Sequence, residues 1–224
     1  MQDLSISQRI AQVRQTLPKT VRLVAVTKKV SVAAIRQAYA AGIRDFGESR
    51  VQEAIPKQDE LQDLPDITWH FIGHLQTNKA KAALERFDWI HSVDRLKLAR
   101  SLHREIQKGA PSPQLCLQVK VFRDPDKYGW HPGELLDALD EIDKLEELDV
   151  RGLMTIAPMG LNESETLTLF RRVRELAEQI DRPGRSRIQM QQLSMGMSQD
   201  YPLAVQAGAT IVRLGRVLFG EREP

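Results

Sequence analysis

The chain has 224 residues, of which 42% are hydrophobic and 28% charged, a composition typical of a folded globular protein with a sizeable core. Its 32 lysines and arginines nearly balance its 30 aspartates and glutamates, so the net charge of +2 gives no reason to expect a nucleic-acid or membrane partner. The single cysteine excludes an intrachain disulfide, and no long apolar segment resembles a signal peptide or a membrane span. We therefore expect a cytoplasmic protein.

Apolar runs alternate with helical patterns from one end of the chain to the other. The pattern predicts an amphipathic N-terminal helix over residues 3–16. The predicted strands follow at 21–27, 43–48, 67–73, 87–93, 114–122, 150–157, 188–194 and 210–214. Helices are predicted between them at 31–41, 50–61, 75–84, 94–108, 132–147, 162–180 and 198–207. Several have N-terminal signals, at Ser31, at Asp94, and at Asn162 with Glu165 three residues later.

Strands that alternate with helices form right-handed β–α–β units with parallel strands. Eight such strands predict one closed (β/α)8 barrel over residues 1–224, with an extra N-terminal helix. The alternative, an open doubly wound sheet, normally has a Gly-rich phosphate turn after its first strand, and here that place holds Thr27, Lys28 and Lys29. The histidines form no convincing metal set, because His70 and His74 lie on a predicted strand and turn instead of one helix face.

The first predicted strand ends in two adjacent lysines. Side chains alternate along a strand, so Val24, Val26 and Lys28 share one face, and Lys29 lies on the other. Barrel interiors favour branched side chains, which predicts that Lys28 points into the barrel mouth. Apolar surroundings disfavour a charged amine and leave it free to attack a carbonyl.

Two segments near the C-terminus predict a phosphate site. The segment "SMGMS" supplies Ser194 and Gly196 before a predicted helix, and "RLGR" places Gly215 between Arg213 and Arg216. Helix starts offer free N–H groups to anions, and barrels commonly bind phosphate after strands seven and eight. With a lysine at the same mouth, the pattern fits an aldehyde that carries a phosphate, either pyridoxal phosphate or an aldolase substrate. The arginine inside the last strand needs either a salt bridge or a polar cavity.

Seven segments spread over nearly the whole chain are distinctive: "AVTKK", "FGESRVQE", "WHFIGHLQTNK", "IHSVD", "GLMTIAP", "LSMGMSQDY" and "VRLGRVLFGER". Together they resemble the pyridoxal phosphate homeostasis protein family, most closely its cyanobacterial members. The resemblance implies a barrel similar to the N-terminal domain of alanine racemase that holds pyridoxal 5′-phosphate as a Schiff base. By position, Lys28 would form that bond. Ser194 would bind the phosphate, together with N–H groups around Gly215 and Arg216.

The resemblance also implies contacts to the cofactor ring. Arg213 would face the pyridine nitrogen, and Met154 would pack near the ring. Ser49 and His74 stand where many family members have asparagine and proline, so the resemblance implies no cofactor contact for these two side chains.

The expected role is that of a binding protein without catalytic residues. Arginine only donates hydrogen bonds, so Arg213 at the pyridine nitrogen would weaken the ring as an electron sink. Racemisation, the alternative function, needs acid–base groups on both faces of the substrate. In alanine racemase a tyrosine from a further C-terminal domain serves as the second group, and this chain ends at Pro224. Tyr128 and Tyr201 follow strands at the mouth, but the sequence places neither opposite Lys28.

We therefore expect a protein that buffers pyridoxal phosphate for vitamin B6 and amino-acid homeostasis, with apo-enzymes as recipients. An aldolase is the more distant alternative. A monomer is expected, because the racemase's usual dimerising domain is absent from the sequence.

Overall fold

The computed structural model describes residues 4–122, 124, 127–181 and 187–220. Eight strands run through this part of the chain: β1 (Arg22–Val26), β2 (Asp45–Glu48), β3 (Thr68–Phe71), β4 (Trp89–Val93), β5 (Gln114–Gln118), β6 (Asp149–Met154), β7 (Ile188–Ser194) and β8 (Ile211–Leu214). The helices in the same residues are α1 (Ile6–Thr16), α2 (Val32–Ala40), α3 (Val51–Glu60), α4 (Ala80–Leu84), α5 (Leu96–Gln107), α6 (Pro132–Asp143), α7 (Glu163–Ile180), α8 (Tyr201–Gln206) and α9 (Arg216–Phe219). A 3-10 turn at Thr77–Lys79 precedes α4.

The strands form a closed parallel barrel in chain order. Each strand pairs with the next, and β8 pairs with β1, where Val24 lies opposite Arg213. The predicted (β/α)8 barrel with an extra N-terminal helix is confirmed, and the doubly wound alternative was wrong. Closure brings the carboxyl ends of all eight strands to one mouth, where barrel proteins carry their functional groups.

Two apolar layers fill the barrel. The inner layer includes Val24, Trp89, Cys116, Met154 and Ile211, which pack against one another in the interior. The outer layer lies between the strands and the helices. Leu23 and Ala25 of β1, which flank the interior residue Val24, belong to this outer layer. The alternation of side chains in the sequence of β1 therefore predicted correctly which of them face the barrel interior and which face the helices.

Helix starts follow the sequence signals at two of three positions. Ser31 Oγ accepts a hydrogen bond from the N–H of Ala34, and Asn162 forms a reciprocal capping box with Glu165. Asp94 does not cap α5, because its carboxylate is instead hydrogen-bonded to the His74 ring and to the Arg95 guanidinium.

Several elements differ from their sequence predictions. Strand β5 ends at Gln118 instead of residue 122, because the Gln118 carbonyl accepts a hydrogen bond from the N–H of Trp130 as the chain turns back. The predicted helix over 75–84 is divided into the 3-10 turn and α4. Helix α9 was not predicted, since four residues are too short to show helical periodicity.

Cys116 lies inside the barrel and is fully buried. Burial raises the pKa of its thiol to about 12, so the reactive thiolate is scarce at neutral pH. No helix in the described ranges is long and apolar enough to cross a membrane. Within those ranges there is also no cluster of three or more His, Cys, Asp or Glu side chains arranged to hold a metal ion.

Candidate ligand site at the barrel mouth

A cavity of about 210 Å³ opens at the carboxyl ends of the strands. Four of the seven residues predicted from the sequence line it: Lys28, Arg213, Gly215 and Arg216. The other lining residues are Val26, Ser49, Ile72, Ile156, Met197, Ser198, Gln199 and Asp200. The cavity is therefore lined by one amine, two guanidinium groups and the start of α9, and by apolar side chains that form another part of its wall.

Lys28 reaches the cavity because β1 ends in a tight turn. The N–H of Val30 donates to the carbonyl of Thr27 at 2.9 Å, and Lys29 adopts a left-handed conformation with φ of 58°. This turn separates the two lysines: Lys28 lines the cavity beside Val26, and Lys29 is not among the lining residues.

A buried ion pair fixes the backbone just before Lys28. Glu48 is fully buried, and its Oε1 accepts from the Thr27 hydroxyl and the Lys57 ammonium, both at 2.7 Å. The same ammonium donates to the Thr27 carbonyl at 2.8 Å. This support was not predicted from the sequence, although the position of a glutamate at the end of a strand beside β1 was a usable signal.

The opposite wall is formed by the β7–α8 turn and the first turn of α9. Ser198 Oγ accepts hydrogen bonds from the N–H groups of Gly215 at 3.3 Å and Val217 at 3.4 Å. Asp200 Oδ1 accepts from the N–H of Met197 at 2.5 Å, and burial raises the pKa of Asp200. Hydroxyl and backbone N–H groups therefore meet where barrels commonly hold phosphate.

Arg213 lies at the base of the cavity and is 3% exposed. Its guanidinium donates to Ser194 Oγ at 2.7 Å and to the carbonyl of Thr155 at 2.8 Å. Burial lowers its pKa to about 10, so it remains protonated at neutral pH. No carboxylate of the described residues forms an ion pair with it, which favours the polar-cavity interpretation over the salt bridge.

The other three predicted residues do not line the cavity. Met154 and Ser194 are fully buried one layer deeper, and the Ser194 hydroxyl is already bonded to Arg213 and to His91. Gly196 packs on α8, where an added Cβ would lie 2.6 Å from Ala204 Cβ. Direct cofactor contacts by these three residues stay a prediction, and the strands position the three residues below or behind the cavity wall.

Ile156 and Ser198 were not predicted as site residues, and they follow Met154 and Ser194 on the same two segments. Each lies further along the chain from the predicted residue, and each lines the cavity. The sequence signal for Ser198 was its position just before a predicted helix.

The two positions that depart from the resemblance lie close to this site. Ser49 lines both the main cavity and an adjoining one of about 280 Å³, which His74 also borders. The His74 ring stacks on Tyr128 with centroids 3.5 Å apart. The Tyr201 hydroxyl faces Thr16 Oγ1 at 3.4 Å. Neither of these two tyrosines is among the residues that line the main cavity.

Sequence comparison identifies relatives along the entire barrel. The family model described as alanine racemase, N-terminal domain, matches residues 4–223. A pyridoxal phosphate homeostasis protein from Synechocystis is 48% identical over 212 residues, which cover 95% of this chain and 96% of that protein. Another, from Escherichia coli, is 35% identical and covers 97% of each chain.

Structural comparison agrees with the sequence matches. PipY from Synechococcus elongatus, solved with PLP bound, has 51% sequence identity and a TM-score of 0.91, covering 96% of this chain and all of that one. An alanine racemase from Clostridium difficile shares the fold, with a TM-score of 0.81 at 14% identity, covering 98% of this chain and 57% of the racemase.

Proposed function

The chain belongs to the pyridoxal phosphate homeostasis proteins within the alanine racemase N-terminal domain family, and from that premise we propose that it binds pyridoxal 5′-phosphate at the barrel mouth. One observation carries the proposal: Lys28 lines the same cavity as Gly215, Arg216 and Ser198. An amine and an anion cradle on one cavity are what an aldehyde that bears a phosphate requires. The PLP-bound structure of the relative PipY supports the same cofactor.

The lining residues divide the recognition between the two ends of the cofactor. Lys28 would hold the aldehyde end of the cofactor through its amine, as a Schiff base formed with release of one water. The N–H groups of Gly215 and Val217, which donate to Ser198 Oγ in this structure, would turn to the phosphate when it binds, and the Ser198 hydroxyl would donate to it as well. The cofactor itself supplies a reactive aldehyde and a ring that can delocalise electrons.

Arg213 makes the site a holder of cofactor rather than a strong catalyst. It remains protonated and can only donate, so a pyridine nitrogen placed against it would stay an acceptor, and the ring would be a weaker electron sink. No tyrosine is among the described residues that line the cavity, and the lining carboxylate, Asp200, is engaged by a backbone N–H. A racemase needs a second acid–base group facing the first.

The function we infer is reversible storage of a reactive aldehyde and its release to apo-enzymes that require it. The protein acts as a monomer in this proposal. Large exposed apolar side chains in the described residues are few, namely Leu4, Tyr128 and Met159, and such scattered residues do not form an extended interface.

Replacement of the lysine tests the covalent attachment. Pyridoxal phosphate added to the protein should give a visible absorbance that Lys28→Ala abolishes and Lys29→Ala retains. Lys29 is the matched control, because it is the adjacent residue, carries the same charge and is likewise exposed. The opposite pattern would show that the wrong lysine has been assigned. Absence of the absorbance in the unmodified protein would refute cofactor binding by a Schiff base.

Transfer and exchange measurements separate a carrier from a racemase. The loaded protein, mixed with an apo-enzyme that depends on pyridoxal phosphate, should restore that enzyme's activity. Exchange of the α-hydrogen of amino acids with solvent deuterium should be negligible. Exchange at useful turnover rates would instead favour the racemase.

A further inference from the structure

A buried file of polar side chains leads from Arg213 across the barrel interior. Arg213 donates to Ser194 Oγ, and His91 Nδ1 lies 2.8 Å from the same oxygen. His91 Nε2 lies 2.9 Å from His70 Nδ1, and His70 Nε2 lies 2.9 Å from Asp45 Oδ1. The file therefore joins the cavity to β2 through β7, β4 and β3. His91 and Ser194 are on strands that are not neighbours, so this contact spans the interior.

Both histidines in the file are neutral near pH 7. Each is fully buried, and burial lowers the pKa of both, with that of His91 well below its usual value. Arg213 and Arg22 lower the pKa of His91 further, and the Asp45 carboxylate partly opposes the shift at His70. A neutral imidazole has one N–H and one acceptor nitrogen, which limits how the file can be arranged.

The Asp45 carboxylate at one end of the file and the Arg213 guanidinium at the other then determine the direction of every hydrogen bond between them. A carboxylate accepts, so His70 carries its proton on Nε2 and leaves Nδ1 as an acceptor. His91 must therefore donate from Nε2, and its own Nδ1 accepts the hydroxyl proton of Ser194. With that proton committed, the lone pairs of Ser194 are left for the guanidinium of Arg213, which can only donate.

We propose that Ser194, His91 and His70 are positioning residues for Arg213 in the cofactor site. This inference rests on the proposed binding of pyridoxal phosphate. The guanidinium has two hydrogen-bonded anchors, the Ser194 hydroxyl and the Thr155 carbonyl, and the file directs the hydroxyl proton of the first away from the guanidinium. Without an acceptor at position 91, the Ser194 hydroxyl proton is no longer held away from the guanidinium, and Arg213 loses part of its fixed orientation at the base of the cavity.

Variants of His91 test whether the file acts on cofactor binding. His91→Leu removes both hydrogen bonds and should weaken the binding of pyridoxal phosphate about tenfold, the effect of one hydrogen bond. His91→Gln keeps an acceptor and a donor and should bind within a few-fold of the unmodified protein. Ile211→Ala is the packing control, because Ile211 is a fully buried interior residue outside the file. It should lower the melting temperature and leave the Kd unchanged.

A double variant separates positioning from general loss of structure. Once Arg213→Ala has removed the guanidinium, adding His91→Leu should not weaken binding further if the file acts through Arg213. An equal loss in both backgrounds would overturn the proposal, as would an unchanged Kd in folded His91→Leu. If the unmodified protein binds no pyridoxal phosphate, the proposed function fails, whereas normal binding with an insensitive His91 refutes the positioning role alone.

The arrangement is also measurable without any variant. Nitrogen NMR of the histidine rings in the unmodified protein should show both His70 and His91 neutral and protonated on Nε2. A proton on Nδ1 of either ring would reverse the file and overturn the proposal, even if His91→Leu failed to fold.

Discussion

At the scale of single residues, Lys28 depends on neighbours that never enter the cavity. Thr27 is fully buried, and its N–H, carbonyl and hydroxyl are all hydrogen-bonded, to Gly47, to Val30 and Lys57, and to Glu48. Because every polar group of Thr27 is hydrogen-bonded, the backbone that follows it has little conformational freedom. The backbone position from which Lys28 projects is therefore fixed by a buried charge network behind it.

Glu48→Ala should destabilise the fold and disturb the lysine together. It leaves the mostly buried Lys57 ammonium without its carboxylate, and breaking such a pair costs about 3 kcal/mol. Chemical denaturation should report the loss of unfolding free energy, and pyridoxal phosphate should bind more weakly to the folded fraction. Asp63→Ala is the matched control, since it removes the carboxylate of an exposed pair with Arg36 and should change stability little. Equal losses in both variants would contradict this role of Glu48.

Residue chemistry indicated the site better than it indicated each contact. Lys28 and Arg213, which the sequence suggested as cofactor-binding residues, both line the cavity. The sequence indicated them because a lysine at a strand end and an arginine within an apolar strand both require a special environment. His70 and His91 were not assigned any role. Their partners lie up to 103 residues away in the sequence, as His91 and Ser194 do, so only the closed barrel brings them together.

At the scale of elements, alternation gives the face of a strand residue but not its depth. Met154 and Ile156 point the same way along one strand and its extension, yet only Ile156 reaches the cavity. Depth depends on how far each strand is shifted against its neighbours, and the β6–β7 pairing contains a register shift between Val150 and Gly152. Such a shift has no signal in local sequence, so the depth of Met154 in the barrel could not be predicted.

The turn after β7 gives a test at this scale. Gly196 has φ of 93°, and an added Cβ would lie 2.6 Å from Ala204 Cβ. Gly196→Ala should therefore combine left-handed strain with overpacking, costing about 3 kcal/mol or more in total. Gly160→Ala is the control, with φ of 87° and no atom within 4 Å of the new Cβ, and strain alone should cost about 1 kcal/mol. Thermal or chemical unfolding that ranks the two equally would show that the contact with α8 is unimportant.

At the scale of the whole molecule, the interior is divided between apolar packing and the polar file. Eight alternations of strand and helix were enough to predict closure, because parallel strands need covering helices and a closed sheet has no edge. The polar interior was not predictable from the same pattern. The polar interior depends on which strands face one another across the closed barrel. In the folded state its two histidines stay uncharged at the centre of the barrel.

Because the folded state keeps His70 and His91 uncharged, we predict that acid destabilises the fold between pH 7 and 5. Unfolded histidines take up protons at their ordinary pKa of about 6.5, whereas burial holds the pKa of His70 and His91 lower in the folded state. Below about pH 6.5 the unfolded state therefore binds more protons than the folded state. The free energy of unfolding has its full value above that pH and falls as the pH drops. Each histidine contributes a slope of up to about 1.4 kcal/mol per pH unit until its folded pKa is reached. Urea denaturation at several pH values should show this slope, and the double variant His70→Gln, His91→Gln should lose it. A slope that the double variant retains in full would mean that other groups cause the acid sensitivity.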